Sequence, residues 1–198
     1  MDSTYVQQLF AIMIGAILIN NFVFAKFLAL CSFVGVSKKV EPSVGMGISV
    51  IFVMGCSSFI AALLYRYIMK PLHIEYMTIL IFIIVIASFV QLVEIYTKKM
   101  IPSLYKALGV YLVIIATNCA VLAAPLMNAE KNYDLLTSTL HGIAAGIGYA
   151  MAIILLSYIR ERLDLAEVPG PLKGMPISFI ATGLMAIAFL GFTGLIKM

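Results

Sequence analysis

Six apolar runs, each long enough to cross a bilayer, dominate the sequence, at about residues 9–31, 44–64, 77–96, 104–127, 139–159 and 176–196. A membrane helix needs about 20 mainly apolar residues, because the hydrocarbon is about 30 Å thick and each helical residue rises about 1.5 Å. Lipid offers no partners to backbone N–H and C=O groups, so a run of this length that enters the bilayer has to be a helix. Composition agrees: the chain is 63% hydrophobic and 11% charged, against about 25% charged in soluble domains. Too few polar groups remain to cover a soluble surface. The chain reads as an all-α integral membrane protein of six transmembrane helices, a single transmembrane domain over 1–198, with the lipid bilayer as its solvent. The net charge of +4 is scattered, which excludes nucleic acid as a partner. The N-terminal MDSTYVQQLF has no basic stretch before its apolar run and no cleavage site after it, so that run reads as a retained helix.

Punctuation and loop charge set the topology. Pro42, Pro71, Pro102, Pro169, Pro171 and Pro176 fall in connections or at span ends, where a missing N–H does little harm. Pro125, near the end of the fourth span, is the exception. One set of connections carries eight Lys or Arg (Lys38, Lys39, Lys98, Lys99, Lys106, Arg160, Arg162, Lys173), the other four (Arg66, Lys70, Lys131, Lys197). Basic loops stay in the cytoplasm, so both termini are expected outside it.

The two halves repeat. An offset of 97 residues sets Asn21 over Asn118 and Gly45 over Gly142. Repeat one covers about 5–98 and repeat two about 102–198. Each has three spans, so the second is inverted relative to the first. Inverted repeats place function at their interface near the midplane, on discontinuous helices. The first and fourth helices are the candidates for interruption: an apolar run meets Asn20-Asn21, with Lys26 following, and another meets Thr117-Asn118-Cys119. Amides in hydrocarbon are costly unless paired. Asn20, Asn21, Thr117 and Asn118 therefore either bond neighbouring helices or shape a site. Lys26 either snorkels to the surface or neighbours an anionic cofactor.

Other polar groups read as structural. Glu94 and Lys98 have i, i+4 spacing for a helical ion pair, with an ion-path role for Glu94 and Gln91 as the minor alternative. Gly142 and Gly146 with Ala144, Ala145 and Gly148 make a small face for close helix contact. His73 and His141, at span ends, read as interfacial side chains rather than metal ligands.

There are three cysteines, Cys31, Cys56 and Cys119. The odd number without a close pair argues against a disulfide framework. Cys56, among small residues, reads as a small hydrophobe. Cys31 and Cys119 superpose at an offset of 88, which needs a nine-residue insertion after Cys119; the polar stretch Met127–Asp134, eight residues long, lies in the right place and is close to that length. On a straight helix, however, Cys31 lies about 15 Å from the break. Ligation near the centre requires the chain to unwind after Asn21, and spacing alone leaves a two-cysteine metal site open.

The stretches ILINNFVFAKFLALCSFVGVSKKVE, ALGVYLVIIATNCAVLAAPLMN, IRERLDLAEVP and GLMAIAFLGFTGL resemble the A-subunit family of the bacterial Rnf complexes over nearly the whole chain. The chain is also similar to the E subunit of the homologous sodium-translocating NADH:quinone reductase; Asn20-Asn21 and IRERL favour Rnf. The resemblance implies a membrane component of a redox-driven pump, an ion-translocating oxidoreductase that couples electron transfer between ferredoxin and NAD to Na⁺ or H⁺ movement. It implies a bacterial cytoplasmic membrane location and a homologous six-helix membrane partner of opposite orientation. Between them lies a [2Fe–2S] cluster, with Cys31 and Cys119 as this chain's ligands and two more from the partner, since such a cluster takes four thiolates. Other Rnf subunits are implied to carry the flavin, further iron–sulfur and NAD sites, because this chain has no complete active site. It departs from the family at Ser32, where Pro is common. The competing function is an inverted-repeat secondary transporter of an ion or small solute, its Asn breaks binding the cargo; a third is a cofactor-free assembly scaffold.

Overall fold

The computed structural model describes residues 3–37, 39–72, 75–100, 114, 118–166, 169 and 172–191, and among these the regular structure is helical, with no strand. Helix α1 spans Ser3–Ile14 and ends in one wider turn, Gly15–Ile19. The short α2 is Leu30–Val36; α3 is Val40–Leu64, continued by a wider turn through Met69. Then follow α4 (Thr78–Met100), α5 (Cys119–Glu130), α6 (Leu135–Asp164) and α7 (Met175–Leu190).

Val40–Met69, Thr78–Ile95 and Leu135–Asp164 are long and apolar enough to cross a membrane, and correspond to the second, third and fifth apolar runs. The other three runs give shorter apolar helices, Gln7–Ile19, Cys119–Glu130 and Met175–Leu190. The first run is short because its helix stops at Ile19. Much of the fourth run, and the end of the sixth, lie outside the described residues.

The core is the seam between α3 and α6, the most extensive helix contact among the described residues. Met46, Val50, Val53 and Met54 of α3 face Ala145, Tyr149, Ala152 and Ile153 of α6, all buried in one cluster. The expected small face is part of this seam. A Cβ on Gly146 would lie 2.8 Å from Ile51 Cα, and one on Gly142 would lie 2.9 Å from Met54 O. Glycine there lets backbone meet backbone, the contact that replaces the missing hydrophobic drive between helices in lipid.

Large apolar side chains cover the outside, among them Ile48, Phe52, Ile84, Leu92, Leu184 and Ile187. Apolar cover on that scale suits hydrocarbon and not water. Polar links gather at two ends. Arg66, in the turn extending α3, bridges Asp134 before α6 at 3.2 Å. Arg160, near the other end of α6, donates to Val34 O at 2.7 Å and to Ser37 Oγ at 3.0 Å. Lys98's side chain lies outside the described residues, and its expected pairing with Glu94 with it.

Candidate functional site

The break in the first helix is made by Asn21. Its Nδ2 donates to Ile17 O at 3.2 Å and to Gly148 O, in the middle of α6, at 2.9 Å. Its Oδ1 accepts from Val23 N at 3.0 Å. An Asn side chain competes with the helix for backbone partners, and here it takes an acceptor at the end of one helix and a donor beyond it. Residues 20–29 then run without regular structure. Non-helical backbone at membrane depth is tolerated where protein covers it, and Asn21, Phe22, Val23, Phe24 and Ala29 are all buried. Asn20 at its start and the tip, Ala25, Lys26 and Phe27, are exposed.

This detour answers the distance objection. Asn21 contacts Gly148, and Ser32 contacts Tyr149, with Oγ and OH 3.0 Å apart. On a straight helix eleven residues span about 16 Å. Here both ends of that interval touch adjacent residues of α6, so the chain has turned back. Cys31, in the first turn of α2, is carried to the middle of the longest helices.

The second break has the same local chemistry. Asn118 is the N-cap of α5, and its Oδ1 accepts from Ala120 N at 3.1 Å. The two asparagines that superpose at the 97-residue offset thus make the same side-chain bond to the backbone N–H two residues on. Asn118 is 2% exposed and faces the Tyr149 hydroxyl, though its Nδ2 makes no hydrogen bond of good geometry. Cys119 is the first residue of α5.

Tyr149 therefore stands between the two cysteine-bearing stretches, in contact with the residue after Cys31 and the residue before Cys119. Both thiols are exposed and unpaired, while Ser32, Asn118 and Ala120 beside them are buried. Two soft, ionisable donors thus face outward from a packed backing, a donor set that fits a thiolate-ligated cluster completed from outside the chain. Among the described residues no group of three or more His, Cys, Asp or Glu gathers.

The remaining candidates are dispersed. Asn20 and Lys26 are exposed, and Thr117 lies outside the described residues. Cys56 lines an apolar groove with Phe52, Phe59, Phe89 and Ile143. Replacing Cys56 with Ala should leave folding and activity near those of the unaltered protein, and a large loss of bound iron in that variant would count against the assignment of Cys31 and Cys119. His73 falls outside the described residues. His141, near the start of α6, is 5% exposed, edge-on to Phe22 and Tyr133. Its burial follows from the coil 20–29, whose Phe22 folds over it. Sequence reasoning passed over Tyr149 because it sits in the small-residue run GIGYA and reads as packing. It also gave Arg160 no role beyond loop charge.

Known relatives span the whole arrangement. The family described as "Rnf-Nqr subunit, membrane protein" matches residues 9–196. The chain is 50% identical over 189 residues to the A subunit of the Na⁺-translocating ferredoxin:NAD⁺ oxidoreductase complex of Acetobacterium woodii, covering 96% of this chain and 98% of the relative. It is 47% identical over 184 residues to the A subunit of the proton-translocating ferredoxin:NAD⁺ oxidoreductase complex of Clostridium ljungdahlii, covering 93% and 95%. The A subunit of the ion-translocating oxidoreductase complex of Vibrio vulnificus is 47% identical over 186 residues, covering 94% and 97%.

Proposed function

Since the chain belongs to the Rnf-Nqr family of membrane subunits, we propose that it is an integral component of a redox-driven ion pump of the bacterial cytoplasmic membrane. The pump couples electron transfer between ferredoxin and NAD to Na⁺ or H⁺ translocation, as the names of its relatives describe for them. The observation that carries this reading is that Ser32, next to Cys31, and Asn118, next to Cys119, both lie at the Tyr149 hydroxyl, with the two thiols exposed.

In this reading the two thiolates hold one side of a [2Fe–2S] cluster, and a homologous six-helix subunit of opposite orientation supplies two more. The cluster supplies one-electron transfer within the membrane. This chain's residues supply its ligands, their spacing and a dry backing. Flavin, further iron–sulfur and NAD sites belong to other subunits. The six-span inverted repeat is supported by the matching side-chain bonds of Asn21 and Asn118. It is supported too by the ends of the bundle: Arg66 joins Asp134 at one, and Arg160 joins Ser37 at the other. Those links group the second connection with the fourth and the first with the fifth, as alternation across six spans demands. The excess of basic residues in the first, third and fifth connections puts both termini outside the cytoplasm.

The test is iron. Purified together with its homologous partner, the chain should carry two iron and two acid-labile sulfide per pair in about the proportions of a [2Fe–2S] centre, and a matching signal on reduction. An iron-free pair that binds a solute or ion would replace this reading with the secondary transporter.

A further inference from the structure

The geometry points to Tyr149 as the positioning residue of the two-cysteine site: its hydroxyl joins the Cys31 stretch to the Cys119 stretch and sets their separation. The inference rests on the cluster reading for its consequence, but its geometry stands without a cluster.

The hydrogen-bond order follows from counting donors. Ser32 Oγ donates to Ala29 O at 2.9 Å. A hydroxyl has one proton, so the 3.0 Å contact between Ser32 Oγ and Tyr149 OH is donated by Tyr149. The phenol oxygen then has lone pairs to spare, and the group facing it is the Asn118 amide, whose Nδ2 is buried and lacks a partner of good geometry. The relay runs from Tyr149 through Ser32 to the Ala29 carbonyl, with the Asn118 amide facing its start. Ala29 holds a left-handed backbone, φ 64°, directly before α2. A non-glycine residue keeps that conformation only where its surroundings impose it, and the relay ends on its carbonyl. Tyr149 is fully buried in the core cluster shared with α3, so its ring has little room to move.

The far end of α2 is held by the same helix. Arg160 donates to Val34 O and Ser37 Oγ, and Ser157 accepts from Ser43 Oγ at 3.1 Å. Helix α6 thus grips the segment carrying Cys31 at both ends. The end next to the sulfur depends on one phenol hydroxyl. Outer groups of this kind fix the orientation of ligands without touching the metal.

The test uses Tyr149→Phe, which keeps the ring and removes the hydroxyl, and Ser32→Ala, which breaks the same bond from the other side. In the full chain in nanodiscs, with Cys56→Ala, nitroxide labels on Cys31 and Cys119 report their separation by double electron–electron resonance, with no metal present. A single narrow distance distribution is expected in the parent and a broader, longer one in either variant. The double variant should be no broader than either single one, because both remove one bond. In the purified complex, Tyr149→Phe should release iron to a chelator about tenfold faster or more, with a broadened resonance of the reduced centre. Parent-like label distances in both variants would overturn the proposal. A parent complex without any [2Fe–2S] signal would overturn the cofactor reading instead, and the label distances would still decide the role of Tyr149.

Discussion

A complex carrying Cys31→Ser or Cys119→Ser should lose the [2Fe–2S] signal, and with it electron flow and the ion gradient, while the altered chain still inserts and binds its partner. The thiolate is the iron ligand, and a serine hydroxyl does not replace it at neutral pH. Each variant leaves three of four ligands, so both losses should be near complete. Folding should be spared, because both thiols are exposed and pack against nothing the bundle needs; such substitutions cost within about 0.5 kcal/mol. Iron content and reduced-state resonance of the co-purified pair check the result. Normal iron with normal pumping in either variant would refute the assignment. Loss of the partner from the preparation would mean only that iron left with it, so partner stoichiometry has to be measured on the same sample.

The second large effect is on the fold. Gly146→Leu should separate α3 from α6, and Gly142→Leu should do the same about two turns from Tyr149. At Gly146 the obstacle is the Ile51 backbone, 2.8 Å from a Cβ; at Gly142 it is the Met54 carbonyl, 2.9 Å away. Backbone does not step aside as a side-chain tip does, so the helices have to part. Overpacking of this kind costs about 1–3 kcal/mol or more. It also moves Tyr149, one turn from Gly146, away from Ser32 and Asn118. Unfolding in mixed micelles should show lower resistance for both variants than for Gly183→Ala, whose Cβ would meet nothing within 4 Å. Equal resistance in Gly146→Leu and Gly183→Ala would show that the seam does not hold the bundle.

The parts that were legible in the sequence share a physical origin. Bilayer thickness forces apolar runs of one length, so the helices at 44–64, 77–96 and 139–159 could be read directly; their observed ends lie a few residues beyond, where polar headgroup depth tolerates Glu41, Arg66 and Arg160. The break at Asn21 was legible because an amide in hydrocarbon must bond something. The close approach at Gly142 and Gly146 was legible because small residues there have no other use. The burial of His141 inside the protein was not legible for the complementary reason: its cover depends on Phe22, which reaches it only after the chain has reversed.

Local sequence therefore determined where the long apolar helices lie and where the first helix fails. It left undetermined where the chain carries Cys31 after the break. The reversal between Asn21 and Ser32 uses left-handed backbone at Phe27 and Ala29, in a stretch with no glycine, where each such residue costs about 1–2 kcal/mol. No local preference selects that path. Contacts more than a hundred residues away do so, Gly148 on Asn21, Tyr149 on Ser32 and Arg160 on Val34. They exist only once α6 is packed against α3, so the placement of Cys31 beside the middle of α6 is a property of the assembled bundle.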